Sequence, residues 1–165
     1  NLTITDRNGL ISAYMDRNPV MYTEDLARSE ESIHFPALQH PDPSSFLLMG
    51  GGLSGYSDEV IKYNPEIFDY CDADPWLFRL GKKYLPASSY DQVNFIPMDG
   101  RRWLMKTDTR SYDVIISAAP DPYTLGWNRF FTLEFFSLVK EHLSKEGVFS
   151  MQLSAGGNYV NKEGI

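Results

Sequence analysis

A chain of 165 residues, 42% hydrophobic and with a formal net charge of −7, has the length to bury one sizeable core, and its acidity disfavours nucleic acid or an anionic membrane surface as the main partner. A single cysteine, Cys71, excludes an intrachain disulfide, a cysteine-based zinc cluster and a CxxC redox pair, and suits a reducing compartment. No apolar run approaches the roughly 20 residues that cross a bilayer, and the start of the chain carries no signal-peptide pattern.

In chain order, apolar and polar side chains alternate first around Asn8-Gly9, a dipeptide that tolerates the positive φ angles of a type I′ turn. A β-hairpin of Leu2 to Thr5 and Leu10 to Met15 is expected. A helix from Glu24 to about Leu38 follows, with Thr23 placed to cap it and Pro41 and Pro43 closing the region. Residues 1–43 thus read as a small appendage to a larger unit at 44–165. From Ser45 onward short apolar runs alternate with amphipathic, helix-length segments, the pattern of a parallel sheet covered on both faces. The expected strands are Phe46 to Met49, Ile67 to Cys71, Val93 to Met98, Tyr112 to Ser117 and Val148 to Leu153. The expected helices are Ser57 to Tyr63, Pro75 to Tyr84, Arg101 to Lys106 and Arg129 to Leu143. In the last, Phe131, Phe135, Leu138 and His142 keep helical spacing, and Glu146-Gly147 supplies a stop.

Gly50, Gly52 and Gly55 form GxGxxG between an expected strand and an expected helix, where glycine permits a tight turn and lets backbone N–H groups approach a ligand. A ligand-free glycine turn is the plainer alternative. Asp72, twenty residues after Gly52, ends the second strand, where a carboxylate accepts hydrogen bonds from ribose hydroxyls. Asp74 is better placed to cap the helix opening at Pro75. Asp99 ends the third strand and has two compatible roles, recognition of an adenine amino group and capping of the next helix. His34, His40 and His142 are scattered over separate elements, so no metal site is expected.

The runs Phe46-Leu-Leu-Met-Gly-Gly-Gly52, Asp72-Ala-Asp-Pro75, Met98-Asp-Gly-Arg101 and Tyr112-Asp-Val-Ile-Ile116 together resemble the spermidine synthase family of aminopropyltransferases. Glu31 and His34 fit the same resemblance. Pro120-Asp-Pro-Tyr-Thr124, Asn128-Arg-Phe130, Glu134-Phe-Phe136 and Asn158-Tyr159 resemble a bacterial branch often fused to membrane segments. The resemblance implies a Rossmann-like, S-adenosylmethionine-dependent methyltransferase-type α/β fold with parallel strands in the order 3-2-1-4-5. It also implies decarboxylated S-adenosylmethionine, S-adenosylmethionine or methylthioadenosine as ligand, approached by Gly50, Gly51, Gly52 and Gly55 and held by Asp72 and Asp99. Asp121 becomes the candidate proton acceptor, and His34 and Tyr123 candidate contacts to a small-molecule amine. His34 has the competing reading of a packed, hydrogen-bonded core histidine. Asn128 and Arg129 stand either at the cleft mouth or as caps of the long helix, and Trp127, Phe130 and Phe131 read as core or lid packing.

The departures from the family bear on activity. Leu53 stands where the resemblance implies an aspartate pairing with the aminopropyl ammonium, and Ala118 where it implies an acid that helps deprotonate the attacking amine; Ile33 replaces a tyrosine. Both losses remove charges that transfer chemistry uses. The alternative function is therefore a catalytically degenerate nucleoside-binding or sensing module of a larger, membrane-anchored protein. An NAD-dependent oxidoreductase fits the glycine motif and Asp72 alone. The start at Asn1 and the end at Ile165 suggest a domain excised from a longer protein, and a cytoplasmic location is expected. Without the final antiparallel strands of the fold, the edge at Val148 to Leu153 would be open to another chain, and self-association is expected.

Overall fold

The structure is a computed structural model that describes residues 2–7, 10–15, 18–22, 26–51, 55–76, 79, 91–108, 110–119, 121–122 and 124–153. Strands β1 (Leu2–Arg7) and β2 (Leu10–Met15) pair antiparallel, with Arg7 opposite Leu10. The pairing brackets Asn8-Gly9, which lies outside the described residues. A third strand, β3 (Asn18–Tyr22), extends this sheet and was not expected from the sequence. Pro19 obscures it, yet β3 is an edge strand, where a missing N–H is tolerated.

Helix α1 (Leu26–Ala37) is the helix expected after the hairpin; Thr23, its expected cap, lies outside the described residues. It buries Ser29, Ser32, Ile33, Pro36 and Ala37, a single stripe at helical spacing, against α2 (Tyr56–Ile61) and the second sheet.

That second sheet holds β4 (Ser45–Met49), β5 (Ile67–Cys71), β6 (Asn94–Ile96), β7 (Tyr112–Ser117) and β8 (Leu143–Met151), all parallel. Its order, β6-β5-β4-β7-β8, is 3-2-1-4-5 when counted from β4. Alternate residues face opposite layers. Phe46, Leu48, Phe68, Tyr70, Val114 and Ile116 pack with Ile33 and Ala37 of α1 and Tyr56 and Val60 of α2. Leu47, Met49, Cys71, Ile96 and Ile115 pack with Leu104 of α3 (Gly100–Leu104) and Phe135 and Val139 of α5 (Leu133–Glu141). Burial on both faces explains why β4 is apolar almost throughout.

Several element ends shift, β6 shortening to Asn94–Ile96 and β8 starting at Leu143, and two expectations fail outright. The helix expected over Arg129 to Leu143 is divided: a short α4 (Leu125–Asn128) comes first, and α5 begins only after Thr132, whose hydroxyl accepts from Phe135 N–H at 3.3 Å. Thr132, not Asn128 or Arg129, is therefore its cap. Gly147 does not stop that helix either. It lies inside β8, where the register shifts between the pairings Tyr112–Leu143 and Val114–Val148. A Cβ at Gly147 would stand 2.9 Å from the Tyr112 carbonyl oxygen, so the glycine marks a close backbone approach at an irregularity of the strand. Of the helix expected from Pro75 to Tyr84, Pro75, Trp76 and Arg79 are described, and all three are helical.

Candidate nucleoside site at the carboxyl ends of the sheet

The strand order reverses beside β4, and the crevice there lies at the carboxyl ends of β4, β5, β6 and β7. Backbone hydrogen bonds hold these ends together beyond the strands: Gly50 N–H donates to the Cys71 carbonyl at 2.9 Å, Asp72 N–H to that of Ile96 at 3.2 Å and Ala118 N–H to that of Met49 at 3.0 Å. Gly50 and Gly51 then turn the chain with φ of 75° and 73°. A Cβ on Gly51 would lie 2.7 Å from Ala118 Cβ and 2.8 Å from the Tyr56 ring, so this turn is closed from both sides and needs glycine. Gly55, at φ 85°, leads into α2. Gly52 and Leu53 lie outside the described residues.

Asp72 is half-buried. Its carboxylate accepts from the Tyr70 hydroxyl at 2.9 Å and from Asp74 N–H at 2.9 Å. Burial pushes its pKa above the ordinary aspartate value, and those two hydrogen bonds offset only part of the rise. Asp74 accepts from Trp76 N–H at 2.8 Å, the capping contact expected of it. Burial likewise raises the Cys71 thiol well above its usual range, which leaves it un-ionised and unreactive. Asp99 caps α3 by accepting from Arg102 N–H at 3.2 Å, and its second oxygen accepts from the Arg129 guanidinium at 2.6 Å. Asp121 is half-buried on the connector from β7 to α4; Tyr123, on the same connector, lies outside the described residues.

His34, on α1, reaches Glu59 of α2 and Tyr63 just beyond that helix. One ring nitrogen meets the Tyr63 hydroxyl at 2.7 Å and the other the Glu59 carboxylate at 2.9 Å. Gly50 and Gly51 thus follow β4, Asp72 follows β5, Asp99 follows β6 and Asp121 follows β7, whereas Gly55 opens α2 beside Ser29 and His34 bonds to Tyr63 and Glu59.

Two features escaped the sequence reading. Tyr56, against Gly51, joins Ser32 and Gln152 through its hydroxyl, at 3.2 and 3.4 Å; Gln152 in turn donates to Ser32 and accepts from Arg28 at 3.2 Å. The other is the pairing of Arg129 with Asp99. Both join residues remote in sequence, and no local pattern announces them. Among the described residues, no group of three or more His, Cys, Asp or Glu converges to hold a metal ion, and no helix is long and apolar enough to cross a membrane.

A doubly wound α/β domain with a glycine turn after its first strand belongs to the class of open parallel sheets whose ligands bind at the carboxyl ends of the strands, at the switch point. Residues 22–161 match the spermine/spermidine synthase domain, and the chain belongs to that family. It is 34% identical over 124 residues to the polyamine aminopropyltransferase of Methanocaldococcus jannaschii, covering 72% of this chain and 42% of that protein. A crystal structure of spermidine synthase in complex with the transition-state analogue AdoDATO superposes with a TM-score of 0.79 at 27% identity, covering 91% of this chain and 53% of that one. Human methyltransferase-like protein 13, in complex with SAH, shares the fold with a TM-score of 0.54 at 24% identity, covering 75% of this chain and 60% of that one. The chain thus has the Rossmann-like, methyltransferase-type fold, and it spans about half the length of the relatives it matches.

Proposed function

We propose that this chain is the nucleoside-binding part of an aminopropyltransferase that uses decarboxylated S-adenosylmethionine and an amine acceptor. The carrying observation is that Gly50, Gly51, Asp72 and Asp99 stand at the ends of three adjacent parallel strands in a chain of the spermine/spermidine synthase family. In this reading the turn from Gly50 to Gly55, including Gly52, approaches the nucleoside and its sulfur-bearing tail, Asp72 accepts from the ribose hydroxyls and Asp99 from the adenine amino group. The residues suit such a ligand. A carboxylate offers about four lone-pair sites, and the Tyr70 and Asp74 contacts leave acceptor capacity on both oxygens of Asp72.

The bound donor supplies a sulfonium whose propyl carbon is open to attack, with methylthioadenosine as the leaving group. Asp121 takes the proton that the attacking amine must lose. Tyr123, and His34 if it exchanges its bonds to Tyr63 and Glu59, contact the amine. With Leu53 and Ala118 in place of acids, turnover is expected to be slow and discrimination in favour of the charged donor weak. The same reading places the division between appendage and binding domain at residues 43 and 44, an associating chain on the β8 edge, and a cytoplasmic location, alone or as the soluble part of a membrane protein.

The test is release of methylthioadenosine from decarboxylated S-adenosylmethionine by the intact protein over a panel of diamines. Amine-dependent release supports transfer, and Asp121→Asn is expected to slow it by about a hundredfold or more. Nucleoside binding without release for any amine would instead favour the degenerate binding module.

A further inference from the structure

We propose that Arg129 is a positioning residue that makes the site selective for a 6-aminopurine by holding the Asp99 carboxylate in one orientation. The proposal rests on the nucleoside reading above. Asp99 is gripped at both oxygens: Arg102 N–H holds Oδ1 at 3.2 Å and the Arg129 guanidinium holds Oδ2 at 2.6 Å, a short charge-assisted bond. Arg129 is itself held in place. Its carbonyl accepts from the Arg101 guanidinium at 2.6 Å, and its guanidinium lies over the Phe130 ring, 5.0 Å from the centroid. Phe130 is buried and packs edge-on against Phe135 at 5.3 Å, which anchors the segment between α4 and α5 in the core. α3 and this segment are therefore tied in both directions, Arg101 reaching out and Arg129 reaching back to the α3 cap.

A carboxylate gripped at both oxygens resists rotation about its Cβ–Cγ bond, and its remaining lone pairs keep fixed directions. Ionised, it offers acceptors only. Such a group pairs with the exocyclic amino group of adenine and opposes the carbonyl of a 6-oxopurine, which would leave two acceptors facing each other. With Arg129 removed, Oδ2 is free to turn away or to hold a water whose hydrogen serves the oxo group. Discrimination then falls, although the α3 cap survives.

The experiment titrates methylthioadenosine and methylthioinosine into the intact protein and into Arg129→Ala and Arg129→Lys, with thermal unfolding as the control for folding. The expected result is a strong preference for the amino ligand in the unaltered protein, a preference at least tenfold smaller in Arg129→Ala, and partial recovery in Arg129→Lys. Equal loss of affinity for both ligands in Arg129→Ala, or no change in either, overturns the role given to Arg129 while leaving the nucleoside reading intact. Failure of the unaltered protein to bind either ligand overturns the nucleoside reading and this inference together.

Discussion

Asp72 carries a burial cost that stability alone does not explain. Its pKa is raised in the fold, so the ionised form is disfavoured there relative to the unfolded chain. Above that raised pKa the native state bears the cost in full; as pH falls through it the native carboxyl takes up its proton first, and below the unfolded value of about 3.9 the cost is gone. Asp72→Asn is therefore expected to raise the urea midpoint at pH 7, with the gain narrowing as pH falls through the Asp72 pKa, and at the same time to weaken methylthioadenosine binding. A lower midpoint at pH 7 would show that the carboxylate stabilises the fold. Gly51 makes the complementary case. An alanine there meets Ala118 and Tyr56 at under 3 Å and must adopt φ 73°, so Gly51→Ala is expected to cost about 2–4 kcal/mol in denaturant unfolding.

At the scale of elements, the opposite end of the sheet is held by carboxylates. Asp113 on β7 accepts from Ser44 N–H and Ser45 N–H at 3.0 Å each and from the Ser45 hydroxyl at 2.9 Å, fixing β7 against the start of β4. Burial raises its pKa, but those hydrogen bonds outweigh burial and hold it below the ordinary value. The stability it contributes is present above the unfolded pKa of about 3.9 and is lost as pH falls through the folded one. Asp113→Asn should flatten the acid limb of the stability profile, as measured by urea midpoints from pH 5 down to pH 2. Asp69, fully buried on β5, joins three elements: it accepts from Arg110 at 2.7 Å, the Tyr112 hydroxyl at 2.6 Å and the Asn94 amide at 2.7 Å. Asp69→Ala leaves all three donors without this acceptor and is expected to cost about 3 kcal/mol, the low end for a broken buried pair because Arg110 keeps access to water.

For the whole molecule, a ligand that binds only the native state stabilises it by mass action. Methylthioadenosine at a hundred times its Kd contributes about 2.7 kcal/mol. For a chain of 165 residues that is a rise of about 5–10 °C in Tm, and calorimetry showing no shift at millimolar ligand would count against the nucleoside site.

The alternation of strands and helices, the glycine turn and the acidic residues that follow β5 and β6 were legible in the sequence, because each rests on local rules: apolar runs buried on both faces, helical spacing between them and glycine where the chain must turn. The strand order 3-2-1-4-5 came only from the family resemblance. The third strand of the N-terminal sheet, the division of the helix before β8 and the true place of Gly147 were not legible. In each of these a neighbour decides, whether an edge position that tolerates Pro19, a hydroxyl at Thr132 that starts α5 late, or the Tyr112 carbonyl that leaves no room for a side chain at 147. The same holds at the site. Carboxylates at 72 and 99 could be read from position along the chain, but the grip of Arg129 on Asp99 and the bonds of His34 to Glu59 and Tyr63 are contacts across tens of residues. Such contacts depend on where the packed layers bring side chains together, which only the tertiary structure decides.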